Sequence, residues 1–212
     1  MATPSPHQTA NPGAACRAPQ QWPTTTGPYD RGVRRISVIG SSGSGKTTVA
    51  RDLAIRLGIP HLELDAIHHL PGWTPLETNE FRGQVTDFTN GNAWVVDGNY
   101  SKVRDVVWQR ADTVVWLDYP RWLVMRRLVP RTLRRLITRQ ELWNSNRESL
   151  SNLYSRDPEQ NVILWSWTHH SLYRQRFAGD QQDPRWDHLA FVRLTSPRTT
   201  QRFVDSVGSA AG

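Results

Sequence analysis

Five short runs of apolar, mostly β-branched residues recur along the chain and alternate with longer segments of mixed polarity. We expect the runs to be strands, because β-branched residues suit a buried, pleated surface. They cover residues 33–39, 61–64, 93–96, 113–117 and 189–194. We interpret most of the longer segments as helices, because capping residues, glycine and proline mark their ends. This alternation predicts an α/β fold in which helices cover both faces of a five-stranded parallel sheet.

Glycine, proline and small polar residues mark where the helices are expected to begin and end. Gly58 suits the left-handed conformation that closes a helix, and Thr74 or Thr78 can cap the start of the next one. We expect a helix that opens near Pro120 to end before Pro130, because a proline ring clashes with the preceding turn. Helices are predicted over residues 46–57, up to about 89, 120–129, 131–143 and 199–207.

The N-terminal residues 1–31 differ in composition from the rest of the chain. They hold six of the fourteen prolines and few aliphatic residues, so they cannot bury enough apolar surface to fold. We therefore expect a disordered tail, followed by one domain over residues 32–208. A chain of 212 residues is long enough for one such domain with a hydrophobic core.

Cysteine content and hydropathy bear on the compartment. The single Cys16 excludes an internal disulfide bond and fits a reducing environment. No apolar run reaches the ~18 residues of a membrane span, and the N-terminus lacks the pattern of a signal peptide. A cytoplasmic protein without a membrane partner is expected. The net charge of +7 comes mostly from arginine and is compatible with nucleic acid, an anionic surface or a pocket for phosphates.

The first predicted strand leads directly into a glycine-rich loop that opens the first helix. The loop and helix start read Gly40-Ser41-Ser42-Gly43-Ser44-Gly45-Lys46-Thr47, with Thr48 next. Glycine is needed where backbone approaches phosphate oxygens closely, and the loop amides and helix N-terminus supply partial positive charge. In this pattern Lys46 reaches the β- and γ-phosphates and Thr47 ligates Mg²⁺. A plain flexible turn is the alternative, but the flanking strand and helix favour a P-loop that binds ATP or GTP.

Three later segments are Asp97-Gly98-Asn99-Tyr100, Val114-Val115-Trp116-Leu117-Asp118-Tyr119-Pro120-Arg121 and Glu141-Leu142-Trp143-Asn144-Ser145-Asn146-Arg147-Glu148. They resemble the corresponding segments of the bacterial topology modulation P-loop proteins, which are relatives of adenylate kinase. The resemblance extends over residues 34–203. It implies the strand order 2-3-1-4-5, with an Arg-rich helical lid over about residues 121–160, between the fourth and fifth strands.

The chain departs from the adenylate kinases at both positions where an arginine grips the phosphate of the acceptor. His68 occupies the first position and Ser101 the second, and Arg104 is the nearest substitute. These departures argue against a nucleoside monophosphate as the acceptor. His68 and its neighbour His69 have poor spacing for a metal site, so we interpret them as acceptor-pocket or surface residues.

Three aspartates fall at the ends of predicted strands, where ligands of open parallel sheets bind. We assign Asp97 to the magnesium shell, through water, and Asp65 to orienting or deprotonating the acceptor. Each could instead cap the following helix or turn, and this structural interpretation fits Asp118 better than a functional one.

Seven arginines lie between residues 121 and 139 with no acidic residue among them: Arg121, Arg126, Arg127, Arg131, Arg134, Arg135 and Arg139. Four of them recur at helical spacing, so their charges repel unless an anion neutralises them. In a kinase-type lid, Arg127 and Arg131 would stabilise the transferring phosphoryl group. A nucleic-acid surface and a solvated helix face are the alternatives.

Taken together, these features predict an ATP-dependent phosphotransferase, related to adenylate kinase, that acts on a small-molecule or nucleotide acceptor with Mg²⁺. Lys46 and the loop amides would hold the nucleotide, and Thr47 and Asp97 the metal ion. The alternative function is a regulatory P-loop ATPase whose basic face binds nucleic acid.

Overall fold

Five parallel strands form the central sheet of the protein, whose computed structural model describes residues 33–148 and 161–207. In chain order the strands are β1 (Arg35–Gly40), β2 (His61–Glu63), β3 (His69–Leu70), β4 (Thr74–Pro75), β5 (Trp94–Asp97), β6 (Thr113–Leu117) and β7 (Ala190–Leu194). The sheet has the order β2-β5-β1-β6-β7, and β3 and β4 form a separate antiparallel pair. The predicted fold class and the 2-3-1-4-5 strand order are confirmed.

Helices cover both faces of this sheet. Those in the described residues are α1 (Lys46–Leu57), α2 (Leu64–His68), α3 (Thr78–Thr89), α4 (Ser101–Arg110), α5 (Arg121–Thr138), α6 (Val162–Asp180) and α7 (Pro197–Ser206). Helices α3, α4 and α6 pack on one face around the buried Trp94 and Trp116. Helices α1, α5 and α7 pack on the other face around Leu53 and Phe203. Because both faces are buried, the central strands are apolar throughout rather than alternating.

Helix α5 contradicts the predicted break at Pro130. It runs without interruption from Arg121 to Thr138, so the separate helix over 131–143 does not form. Buried residues recur every four positions on both sides of the proline, at Val124, Leu128, Thr132 and Leu136. Pro130 lies on the exposed side of the helix. Because proline has no amide hydrogen, the carbonyl group of Arg126 lacks its helical partner there and can bond to water instead. Packing of the continuous buried stripe therefore outweighs the local cost of proline, about 3 kcal/mol in a helix interior.

Helix α6 has no counterpart in the sequence prediction. Its buried face carries the polar residues Ser166, His170 and Asp180 beside Phe177, so the apolar residues show no helical period. The side chain of the N-cap Asn161 accepts hydrogen bonds from two amide groups of the first turn, both at 3.1 Å. That asparagine is the local signal that could have identified the helix.

Two boundaries near the second strand also differ from the prediction. Strand β2 stops at Glu63, and Asp65 lies in the short helix α2 rather than at a strand end. The N-cap of α3 is Glu77, not Thr74 or Thr78. Its carboxylate accepts hydrogen bonds from the amides two and three residues later, at 2.6 and 3.2 Å.

Some predicted features fall outside the described residues: the tail over 1–31, residue 208 at the end of the domain, and the part of the lid over 149–160. Within the described parts of the chain, no helix is long and apolar enough to cross a membrane.

The continuity of α5 can be tested with Pro130→Ala. The substitution restores an amide that can bond to the carbonyl of Arg126, so we expect the free energy of unfolding to rise by about 1–2 kcal/mol. Urea unfolding followed by far-UV circular dichroism measures the change. The exposed Arg134→Ala, which alters no backbone donor, serves as the control. A loss of stability in Pro130→Ala would contradict an unbroken helix.

Candidate functional site

The glycine-rich loop joins the end of β1 to the start of α1 and leaves no room for side chains at two positions. A Cβ atom at Gly40 would lie 2.8 Å from the carbonyl oxygen of Leu117. A Cβ atom at Gly43 would lie 2.9 Å from the Cβ of Leu128. Gly43 also has φ of +85°, a left-handed conformation that favours glycine. The loop therefore forms a close-packed backbone cradle of the kind that holds phosphates.

Neighbouring elements hold this loop in place through hydrogen bonds. Asn99, just after β5, accepts from the Gly40 amide at 3.2 Å and donates to its carbonyl oxygen at 2.6 Å. The Ser166 hydroxyl of α6 donates to the Ser42 carbonyl oxygen at 3.1 Å. The buried hydroxyl of Ser44, by contrast, has no hydrogen-bond partner among the described residues. An anion acceptor such as a phosphate oxygen would suit that hydroxyl and the cradle around it.

Lys46 begins α1 and lies among acidic side chains. Its ammonium group donates to the Ser41 carbonyl oxygen at 3.3 Å. Burial lowers the pKa of Lys46, and the charges of Asp65 and Asp97 oppose that shift. The nearby acidic side chains thus favour the charged form, which a phosphate-binding lysine requires. Thr48, two residues further along α1, is exposed.

Thr47 lies between two carboxylates. Its hydroxyl is 2.7 Å from Asp97 Oδ2 and 3.1 Å from Glu63 Oε1. A hydroxyl has one proton and can donate to only one carboxylate at a time, so a cation beside these oxygens would suit the arrangement better. On its other oxygen, Asp97 contacts His61 Nε2 at 3.0 Å.

Glu63 is a candidate site residue that the sequence analysis missed. In the parallel pairing of β2 with β5, Glu63 is the direct partner of Asp97. Its position at the end of the second strand was the available signal. Hydroxyl and carboxylate oxygens are ligands that Mg²⁺ accepts. Within the described residues, no group of three or more His, Cys, Asp or Glu could hold a metal ion. The set therefore fits Mg²⁺ that keeps water and phosphate ligands, and not a cage built by the protein alone.

Asp65 lies close to the loop although it is not at a strand end. Its Oδ1 accepts a hydrogen bond from the Tyr100 hydroxyl at 2.6 Å. Its charge acts on both Lys46 and Arg131. Burial raises the pKa of Tyr100, and the neighbouring Asp65 charge raises it further, so this hydroxyl stays protonated and remains a donor.

Two arginines of α5 reach the same region. Arg127 donates to the Ser44 carbonyl oxygen at 3.2 Å. The charge of Arg131 acts on Lys46 and Asp65, and desolvation lowers the pKa of Arg131. Its ordinary pKa is so high that it remains a cation. Arg135, by contrast, pairs with Glu148 at 3.2 Å.

Several other residues from the sequence analysis have structural partners. Asp118 is buried and forms ion pairs with Arg174 and Arg193, in keeping with the structural interpretation. Arg104 pairs with Asp180 at 2.5 Å, so its charge is already balanced. His68 is buried rather than on the surface.

Comparisons with known proteins link the chain to P-loop kinases. It is 31% identical over 147 residues to the shikimate kinase of Rhodopseudomonas palustris (strain ATCC BAA-98 / CGA009), a match that covers 61% of this chain and 70% of that protein. It is also 39% identical over 51 residues to a cytidylate kinase of Nitratidesulfovibrio vulgaris (strain DP4), which covers 24% of this chain and 22% of that enzyme. No protein-family model matches the chain.

Two solved structures have a similar fold. The shikimate kinase from Acinetobacter baumannii in complex with shikimate has a TM-score of 0.47 at 22% identity, covering 82% of this chain and 90% of that one. A gluconokinase from Sinorhizobium meliloti 1021 has a TM-score of 0.44 at 17% identity, covering 84% and 91%. Because both scores are below 0.5, the sequence match carries the family assignment.

The support that Asn99 gives to the loop leads to a prediction. Asn99→Ala removes both hydrogen bonds to Gly40, so we expect the dissociation constant for nucleotide to rise by about ten-fold. Isothermal titration calorimetry with ATP and Mg²⁺ measures it. Asn90→Ala, an exposed asparagine at the end of α3, is the matched control. Equal affinities in the two variants would show that Asn99 does not support the cradle.

Proposed function

The chain belongs to the P-loop small-molecule kinases, and on that premise we propose that it transfers the γ-phosphoryl group of ATP to a small-molecule or nucleotide acceptor. Thr47 and Asp97 would hold Mg²⁺, and Glu63 lies where it could join them. We also propose the narrower placement among topology modulation proteins, which the segments 97–100 and 141–148 support.

The observation that carries this proposal is the meeting of opposite charges at the phosphate loop. Lys46 and Arg131 lie near Asp65, and Arg127 of α5 contacts the loop backbone. Cations placed around a phosphate stabilise the charge that moves during transfer. Asp65, which accepts from Tyr100 and makes no bond to Thr47, is the carboxylate that we assign to the acceptor hydroxyl.

The proposed reaction gives each of these residues a role. The acceptor hydroxyl oxygen attacks the γ-phosphorus, and the bond from that phosphorus to the β–γ bridging oxygen breaks. Asp65 orients the hydroxyl and takes its proton, while Lys46, Arg127 and Arg131 stabilise the charge on the phosphoryl oxygens. The products are a phosphate ester and ADP. Bound Mg²⁺ would neutralise charge on the β- and γ-phosphates.

A substitution at Asp65 tests whether the protein is a kinase or an ATPase. In a panel of nucleosides, nucleotides and small hydroxylated metabolites, we expect the wild type to consume ATP faster with the correct acceptor. Asp65→Asn should lose that stimulation by about 100-fold or more, because general acid–base groups contribute at least this much. The exposed Asp87→Asn on α3 is the control. A further variant, Lys46→Ala, should weaken ATP binding. Full stimulation in Asp65→Asn would contradict the proposed role.

The two lid arginines allow a test against the nucleic-acid function. Arg127→Ala and Arg131→Ala should each lower kcat, because each should raise the activation free energy by about 2–4 kcal/mol, with little change in ATP affinity. Single-turnover kinetics and calorimetry at fixed ionic strength separate the two effects. Arg134→Ala, an exposed arginine on the same helix, is the control.

The same variants should be titrated with DNA and RNA duplexes. If the arginines bind nucleic acid, kcat stays unchanged and the salt dependence of binding becomes shallower by about one unit per lost phosphate contact. That combination would replace the kinase-lid role with the alternative function.

A further inference from the structure

Three partly exposed aromatic side chains lie together, one of them next to the tyrosine that bonds to Asp65, and the proposed reaction gives them no role. The ring centroids of His69 and Trp73 are 5.3 Å apart, and those of His69 and Trp143 are 6.0 Å apart with nearly parallel planes. Trp73 and Trp143 meet edge to face at 6.5 Å. We call these three residues the aromatic wall. They come from two separate chain segments, so the fold brings them together.

The aromatic wall connects directly to Asp65. The hydroxyl of Tyr100, which donates to Asp65, is also 3.2 Å from His69 Nε2. A ligand that approaches Asp65 past Tyr100 would therefore also contact His69. Asp65, Tyr100 and the wall are all partly exposed, so a ligand can reach them without unfolding the core.

Two asparagines hold Trp143 against the loop that carries His69 and Trp73. Asn144 donates to the carbonyl oxygens of Ala66 and His69, at 3.2 and 2.5 Å. Asn146 donates to the Leu70 carbonyl oxygen at 2.9 Å and accepts from the Trp73 amide at 2.9 Å. The sequence analysis singled out the segment 141–148 without giving it a chemical role. These bonds explain the Trp143–Asn146 part of that segment. Binding sites are precise when hydrogen bonds fix their supports in this way.

Backbone strain is concentrated at the same place. Among the described residues, four that are not glycine have positive φ, and three of them are Trp73, Asn144 and Ser145. Such conformations cost about 1–3 kcal/mol each and cluster at functional sites. Strained backbone therefore lies in both chain segments that carry the wall.

The wall is also uncharged. Burial lowers the pKa of His69, opposed by the charge of Asp65, so the ring is neutral at pH 7. Arg147 of the supporting segment pairs with Glu141 at 2.5 Å, and Arg135 of α5 pairs with Glu148 of that segment. Flat, uncharged aromatic surfaces favour the face of a ring over an open chain or an isolated anion.

We propose that the aromatic wall of His69, Trp73 and Trp143 is the acceptor subsite, and that it selects a hydroxylated ring compound whose face packs on the indoles while a hydroxyl reaches Asp65. This inference rests on the proposed kinase function at the same site. Nucleosides and cyclic sugars share this chemistry, and the experiment distinguishes them.

The test compares wild type with Trp143→Ala, Trp143→Leu and the control Trp122→Ala, an exposed tryptophan on α5. The panel holds nucleosides, cyclic hexoses and inositols, each matched with open-chain polyols and hydroxy acids of similar size. ATP consumption gives kcat and KM, and calorimetry with ADP present gives acceptor binding independently of turnover. Thermal melting checks that each variant is folded, and Trp143→Leu retains apolar bulk if Trp143→Ala does not fold.

We expect the wild type to prefer ring compounds, with KM raised about ten-fold or more in the Trp143 variants and kcat nearly unchanged, because loss of one stacking aromatic has effects of this size. ATP affinity should not change, and Trp122→Ala should match wild type. Selectivity for nucleosides over cyclic sugars, or the reverse, identifies the source.

Three outcomes would overturn the subsite: preference for open-chain acceptors, an unchanged KM in folded Trp143 variants, or no binding of any ring compound. Ring compounds that bind through Trp143 but are never phosphorylated would instead refute the kinase function and leave the subsite standing. Phosphorylation of open-chain compounds would support the kinase function and refute the subsite.

Discussion

The close approach of the phosphate-loop backbone to its neighbours constrains the rest of the site. At Gly43 the loop packs against Leu128 of α5, and no side chain larger than hydrogen fits between them. Because α5 is held this close, the adjacent Arg127 lies over the loop and bonds to Ser44. One turn later the same helix brings Arg131 towards Lys46. A steric contact between backbone and helix thus determines where the positive charge is placed.

Residues 97–100, at the end of β5 and directly after it, connect the parts of the site. Asp97 contacts the Thr47 hydroxyl, Asn99 holds Gly40, and Tyr100 donates to Asp65. The proposed metal ligand, the support of the loop and the donor to Asp65 therefore all come from one turn at a strand end. In an open parallel sheet this is the place where ligands bind, because the loops of neighbouring strands diverge there.

The sequence predicted the strands of the sheet and the position of the glycine-rich loop between β1 and α1 well, because both depend on short, local patterns. It failed at Pro130, where packing across a whole helix outweighs a local preference. It missed Glu63, because its pairing with Asp97 joins strands that are distant in the chain. It also singled out the segment 141–148 without a function. The bonds of Asn144 to the loop after α2 become apparent only when the chain is folded.

The two carboxylates on either side of Thr47 have a consequence for stability. Glu63 and Asp97 approach the same hydroxyl, and Asp97 is almost completely buried, so folding brings two carboxylates from different strands together. A cation bound as proposed would contact both carboxylates in the folded chain and could not do so in the unfolded chain, where the two residues are not held together. Under that proposal ligation and folding would be thermodynamically linked, and the abundance of the folded protein would follow the supply of magnesium and nucleotide.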